Sequence, residues 1–284
     1  MQSLLYVNAI LLSSNRLKME KTIQFQNTNI SYSICGSGHA LVFLHGFLES
    51  KAIWDNFTET LQKDFTAVAI DLLGHGKSGL AAETHGMPLM AEIVKEVLNA
   101  ENISQAVVVG HSMGGYVALQ FALENEKKLK GLVLFHSHAG ADSEETKINR
   151  QRTIAIVRQN RGKFIQQFIP DLFDQRHVEK YTQAIKNLQE SAGLMSPEAI
   201  IAAIAGMRDR RDQMPFLSKT ELPVFFIIGR QDSRMPFSQL IEQAMVPLHG
   251  ETLLLEDVGH MGFIEAPAKT LQAITHFTLR CFED

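Results

Sequence analysis

Ser112 sits in the run Val107-Val108-Val109-Gly110-His111-Ser112-Met113-Gly114-Gly115-Tyr116. A serine hydroxyl becomes a nucleophile only when a base takes its proton and a third group orients that base. The best base is His260, in Asp257-Val258-Gly259-His260-Met261-Gly262, a glycine-flanked loop just past an apolar run. The chain holds 11 histidines, so His260 is singled out by its placement and not by scarcity. The best acid is Asp232, in Gly229-Arg230-Gln231-Asp232, which also follows an apolar run. As an alternative role, an aspartate there would cap the helix expected from about Met235. Asp209, Asp212 and Asp257 compete with it but lack the order Ser…Asp…His that follows the strand ends.

A tetrahedral oxyanion needs two preorganised N–H donors. The backbone of Met113, directly after the serine, supplies one. The backbone of Phe47, in His45-Gly46-Phe47-Leu48, is expected to supply the other. His45 reads as a brace for that loop, and Asp71 and His75 as stabilisers of the turn Asp71-Leu72-Leu73-Gly74-His75-Gly76, with a pocket role for His75 left open. Phe47, Leu48 and Met113, with Phe164, Phe168 and Phe173, are expected as apolar pocket walls. His136-Ser137-His138 spaces two imidazoles as alternate strand residues would. With no third ligand of matching context, His136 is assigned to the pocket wall, and no metal site is expected. No phosphate loop, CxxC pair or dinucleotide fingerprint is present, so no cofactor is expected.

These residues need elements to position them. Val107 to Val109 reads as a buried strand, and Tyr116, Leu119, Gln120 and Leu123 follow at helical spacing. Ser112 thus falls at a sharp strand-to-helix corner, where flanking small residues let the two backbones approach. Ile23-Phe25 and Ile30-Tyr32-Ile34 alternate around a turn at Gln26-Asn27-Thr28-Asn29, a hairpin pattern. Ala40 to Leu44, Phe65 to Ile70, Gly131 to Phe135, Leu222 to Gly229 and Glu251 to Leu255 read as further strands. Helical patterns lie at 50–62, 87–99 and 267–282. Such alternation implies a mostly parallel sheet covered on both faces. The stretch 142–212 breaks the rhythm, with helical patterns at 154–168 and 196–207 and no strand. It is read as a helical cap over the C-terminal strand ends, where open sheets bind ligands. Residues 19–141 and 213–284 then form the core.

A length of 284 residues suits one large domain with an insertion. With 45% hydrophobic and 20% charged residues the composition is globular, and a net charge of -4 gives no reason to expect nucleic acid. Two cysteines, Cys35 and Cys281, far apart in the chain, suit a reducing cytoplasm. Residues 1–18 are set apart as a leader expected to be poorly ordered. Their apolar run, Leu4 to Leu12, is too short to span a bilayer and lacks the preceding basic residues of a secretory signal. No stable membrane insertion is expected; a membrane-surface anchor is the alternative.

Taken together, His45-Gly46-Phe47, Asp71-x-x-Gly74-His75-Gly76-x-Ser78, Gly110-His111-Ser112-Met113-Gly114-Gly115, Gly229-x-x-Asp232 and Gly259-His260 resemble the α/β-hydrolase superfamily. The resemblance covers roughly Glu20 to Asp284. It implies an eight-stranded sheet whose second strand is antiparallel, with a helical cap after the sixth. Members resembling epoxide hydrolases or haloalkane dehalogenases carry aspartate at the elbow, so Ser112 speaks against those activities. The expected function is a serine hydrolase acting on a small ester or thioester, as a monomer or homodimer. Three alternatives use the same triad: a carbon–carbon bond hydrolase, a menaquinone-pathway-type lyase with Arg150, Arg152 or Arg158 on a carboxylate, and a slow-turnover ligand receptor.

Overall fold

The structure, a computed structural model, describes residues 18–283. The apolar run of residues 4–12, and the leader but for Lys18, lie outside them. Eight strands form one sheet: β1 (Met19–Phe25), β2 (Thr28–Cys35), β3 (His39–Leu44), β4 (Phe65–Ile70), β5 (Ala106–His111), β6 (Leu129–Phe135), β7 (Val224–Gly229) and β8 (Gly250–Leu255). Their order is β1-β2-β4-β3-β5-β6-β7-β8. β2 runs antiparallel to both of its neighbours, and every pairing from β4 through β8 is parallel. The first turn is tighter than the four-residue turn expected, because Phe25 pairs with Thr28 and leaves only Gln26 and Asn27 unpaired.

The central strands carry apolar residues on both faces and, apart from His39 at the start of β3, are buried along their length, as covering by helices on each side requires. Those helices include α1 (Asp55–Leu61), α2 (Met87–Ala100), α3 (Met113–Asn125) and the C-terminal helix Pro267–Phe282. Single apolar stripes face inward, such as Met90, Ile93, Val94 and Val97 on α2. The helix expected over 50–62 divides into a tight 3-10 turn at Lys51–Trp54 and then α1.

Between β6 and β7 the chain leaves the sheet and forms α4 (Glu144–Phe168), α5 (Thr182–Ala192) and α6 (Pro197–Arg208). α4 begins ten residues before the expected 154, because its first turns are polar and show no apolar period. Ser143 caps it instead, accepting from the Thr146 amide at 3.2 Å. α4 is kinked at Asn160 (φ -154°, ψ 81°). The Asn160 side chain accepts from the Lys163 amide at 2.9 Å and so caps the segment carrying Phe164 and Phe168.

Candidate active site

The corner at Ser112 is one residue wide. β5 ends at His111, α3 begins at Met113, and Ser112 is left with φ 50° and ψ -114°. A left-handed φ on a residue with a Cβ costs on the order of 1–3 kcal/mol and persists only where its surroundings enforce it. The enforcing contacts are plain. The Ser112 amide donates to the Phe135 carbonyl (2.9 Å), and the Ser112 carbonyl accepts from the Gly115 amide (2.9 Å) and the Ser137 hydroxyl (2.8 Å). Close approach requires the glycines. A Cβ on Gly110 would lie 2.4 Å from the Gly114 carbonyl oxygen, and one on Gly114 would lie 2.5 Å from that of Leu44.

Asp232 follows β7 and His260 follows β8, so parallel strand ends deliver both to the edge that carries Ser112. His260 Nδ1 lies 2.7 Å from Asp232 Oδ2. The other carboxylate oxygen, Oδ1, accepts from the amides of Arg234 (2.8 Å) and Met235 (3.0 Å). Burial alone would raise the Asp232 carboxyl, but His260 and His136 beside it hold it far below the usual carboxylate range. The base loop is itself pinned: the Glu265 carboxylate accepts from the amides of Gly259 (3.1 Å), Met261 (3.0 Å) and Asp174 (3.0 Å). Ser112 and His260 face one cavity, and no hydrogen bond joins them among the described residues. Contacts of this kind tighten when substrate is bound.

Among the described residues, neither the Phe47 nor the Met113 amide has a hydrogen-bond acceptor. Met113 opens α3, whose N-terminus favours negative charge. His45 braces the Phe47 loop: its Nε2 accepts from the Leu72 amide at 3.0 Å. Asp71 gathers its turn by accepting from the Lys51 ammonium (2.8 Å) and the amides of Lys51 (2.8 Å) and Lys77 (3.0 Å). His75 is fully buried within that turn and does not line the cavity.

The cavity, about 540 Å³, is within the range of small-molecule sites. Phe47, Phe164, Phe168, Leu172, Ile204 and Met235 supply its apolar wall. Phe168 meets Phe47 edge-on at 5.6 Å and Phe164 at 5.3 Å. Four expected pocket residues lie elsewhere; Met113 is one, its side chain fully buried at the start of α3 and absent from the cavity wall. Leu48 turns into the core, with φ 64° at the tight loop and 1% exposure. Phe173 is buried and stacked on Tyr181 at 5.2 Å. His136 is buried behind the acid, with Nδ1 3.3 Å from Asp232 Oδ2 and 3.2 Å from the Gly229 amide. Burial pushes the His136 imidazole down to about 4, against the opposing pull of Asp232.

His136, Asp232 and His260 place one ligand atom each within 4.8 Å of one another. Two ligands of a tetrahedral zinc at ~2.0–2.1 Å would stand roughly 3.3 Å apart. The 2.7 Å between His260 Nδ1 and Asp232 Oδ2 is a hydrogen bond and too short for a shared metal.

Several cavity residues carry no motif that would have singled them out: Tyr116, Arg234, Gln239 and Glu49; His138, spaced with His136 in the sequence, also lines the cavity. Of the three cap arginines, Arg150 reaches the cavity, tied to Asp142 at 2.7 Å. Arg152 bonds Asn149, and Arg158 lines a separate surface hollow with Glu198. Asp257 is exposed and pairs with Arg176, Asp209 pairs with Arg208, and Asp212 accepts from the Met214 amide; none of the three lines the cavity.

Residues 39–171 match the family described as the alpha/beta hydrolase fold. A pimeloyl-[acyl-carrier protein] methyl ester esterase from Aeromonas hydrophila is 28% identical over 265 residues, 88% of this chain and 99% of that protein. A malate-bound thermophilic esterase from Thermogutta terrifontis is 27% identical with a TM-score of 0.86, covering 93% of this chain and 99% of that one. The chain has the α/β-hydrolase fold. The chain is a hydrolase enzyme of that fold. The enol-lactonase from Burkholderia xenovorans LB400, 18% identical with a TM-score of 0.84 over 90% of the hydrolase and 99% of its own chain, shares the fold. Among the described residues no helix of the hydrolase is long and apolar enough to cross a membrane.

Proposed function

We propose that this hydrolase cleaves a small carboxylic ester or thioester through an acyl-enzyme on Ser112. The reading is carried by the 2.7 Å contact of Asp232 with His260 Nδ1, on the rim of the cavity that Ser112 faces. With Nδ1–H donated to the carboxylate, Nε2 keeps its lone pair and can take the Ser112 proton. Ser112 Oγ attacks the carbonyl, and the Phe47 and Met113 amides receive the developing oxyanion. His260 then gives its proton to the departing alcohol or thiol. Water, deprotonated by the same imidazole, releases the acid and restores Ser112.

Residues 142–212 act as a cap over the core formed by 19–141 and 213–284. The cap supplies Phe164, Phe168 and Leu172 to the cavity wall, and that apolar wall fits a modest acyl group better than a polymer. The test is hydrolysis of a chain-length series of p-nitrophenyl esters beside Ser112→Ala. Multiple turnovers lost in the variant support the reading. Equal rates for both proteins would overturn it, and a single stoichiometric burst without turnover would make the chain a receptor.

A further inference from the structure

One buried ionisable pair takes no part in the chemistry above. Glu49 and His111 have side chains 1% and 0% exposed, and they lie between the oxyanion loop and the base loop. Glu49 Oε2 accepts from the Gly46 amide at 2.6 Å, at the start of the loop that presents Phe47. The same oxygen lies 3.0 Å from His111 Nδ1. On the far side of the ring, Nε2 lies 2.8 Å from the backbone carbonyl oxygen of His260. His111 is also the residue immediately before Ser112. One imidazole therefore touches the oxyanion loop through Glu49, the nucleophile through the chain, and the base through its carbonyl.

With Glu49 ionised, donors and acceptors fix where the protons on His111 go. A carbonyl oxygen only accepts, so Nε2 carries a hydrogen. Oε2 already accepts from Gly46, and as a carboxylate oxygen it accepts from Nδ1 as well. Both ring nitrogens then bear hydrogens, and the ring is an imidazolium. We infer that His111 is a positioning residue, protonated at pH 7 and paired with Glu49, that locks the oxyanion loop and the His260 loop in register around Ser112. Other charged or titratable groups near the pair are His45, His136, Asp232 and the His260 ring, whose centroid is 4.9 Å from that of His111. The electrostatics agree: burial alone would discharge both partners, yet each holds the other ionised, with His111 raised and Glu49 lowered.

A neutral substitute cannot do the same work. In Glu49→Gln the amide oxygen can still accept from Gly46. A neutral His111, however, has one N–H for two acceptors, so either the Glu49 side or the His260 carbonyl loses its hydrogen bond. The loss falls on groups that act in the transition state, not on the apolar wall that binds the acyl chain.

This inference rests on the Ser112 mechanism, but its first test does not. In ¹⁵N-histidine-labelled protein at pH 7, His111 is assigned by its contacts with the edge-on rings of Phe135 and Phe263. The expected spectrum shows both its nitrogens protonated; a single protonated nitrogen overturns the inference and leaves the Ser112 reading untouched. In Glu49→Gln, kcat on a p-nitrophenyl ester is expected to fall ten- to a hundredfold while KM stays within threefold. A kcat within twofold of the native value, or a loss seen only in KM, overturns it too. Should Glu49→Gln fail to fold, the spectrum of the native protein still decides.

Discussion

Asp232→Asn isolates the orienting role of the acid, because the structure dictates how asparagine must sit. Oδ1 of Asp232 accepts from the amides of Arg234 and Met235 at 2.8 and 3.0 Å. Asparagine keeps those bonds only by leaving its carbonyl there, which turns its NH₂ towards His260 Nδ1. A donor now faces Nδ1, so Nδ1 must accept and the proton moves to Nε2. That is the wrong tautomer for taking the Ser112 proton. Flipping the amide instead aims NH₂ at two N–H donors and breaks two hydrogen bonds, each costing about 1–3 kcal/mol when its partners stay buried. Either route adds to the lost attraction between a carboxylate and the imidazolium that forms during attack.

Together these effects amount to about 5 kcal/mol, or ~10⁴ in kcat, the size of the corresponding change in serine proteases. KM for p-nitrophenyl butyrate should move less than about threefold, since the cavity wall is untouched. The control is Asp257→Asn, an exposed carboxylate paired with Arg176, which should leave kcat unchanged. Retention of more than a tenth of native kcat by Asp232→Asn would refute the reasoning. So would an equal loss in the control. Asp232 is held far below the usual carboxylate range, so it stays ionised across the assay.

Ser112→Gly should abolish turnover yet raise stability by about 1 kcal/mol in urea unfolding, because glycine adopts φ 50° without penalty; a destabilised variant would show that the corner is not strained. Acid should weaken the fold between pH ~6.5 and ~4. Burial pushes His85, His136 and His138 down to about 4, so over that window the unfolded chain binds protons that the folded chain refuses, and stability falls with pH. Among the described residues neither ring nitrogen of His85 has a partner within hydrogen-bond geometry, and His85→Met should flatten the slope by up to about 1.4 kcal/mol per pH unit. An unchanged slope would contradict that assignment. The raised His111 works in the opposite sense: its contribution is complete below ~6.5 and is lost as pH climbs through its folded value.

What was legible in the sequence is what depends on local pattern. Strand ends, the glycines around Ser112 and the order Ser112…Asp232…His260 rest on alternation and close approach, which leave marks in the residues themselves. Side-chain direction left none. Leu48 and Phe47 are adjacent apolar residues in one loop, but φ 64° at Leu48 sends it to the core while Phe47 meets the cavity. Phe173 looked like Phe164 and Phe168 by type, yet it lies in the segment after α4 and packs on Tyr181. His136 was legible as a strand-end residue; that it backs onto Asp232 depends on β6 pairing with β7, a contact between segments 93 positions apart. Glu49 lay three residues past Gly46 in an apolar stretch, and its unexplained charge was the available signal.

The two carboxylate–histidine pairs explain how so dry a site can tolerate charge. A lone buried ion costs several kcal/mol, whereas a paired and fully hydrogen-bonded one is tolerable. Glu49 and His111 cancel each other at rest and keep cancelling throughout the proposed reaction. Asp232 is offset at rest by two backbone amides and by the His260 and His136 rings beside it. In the proposed attack by Ser112, His260 becomes cationic beside Asp232, and the new negative charge appears at the opposite end, on the Phe47 and Met113 amides and the α3 N-terminus. Attack thus separates charge along a line whose two ends are already built for it, so little reorganisation is required. His111 stands beside that line with its charge already balanced by Glu49. That neutrality lets it tie the two ends together without opposing the protonation of His260.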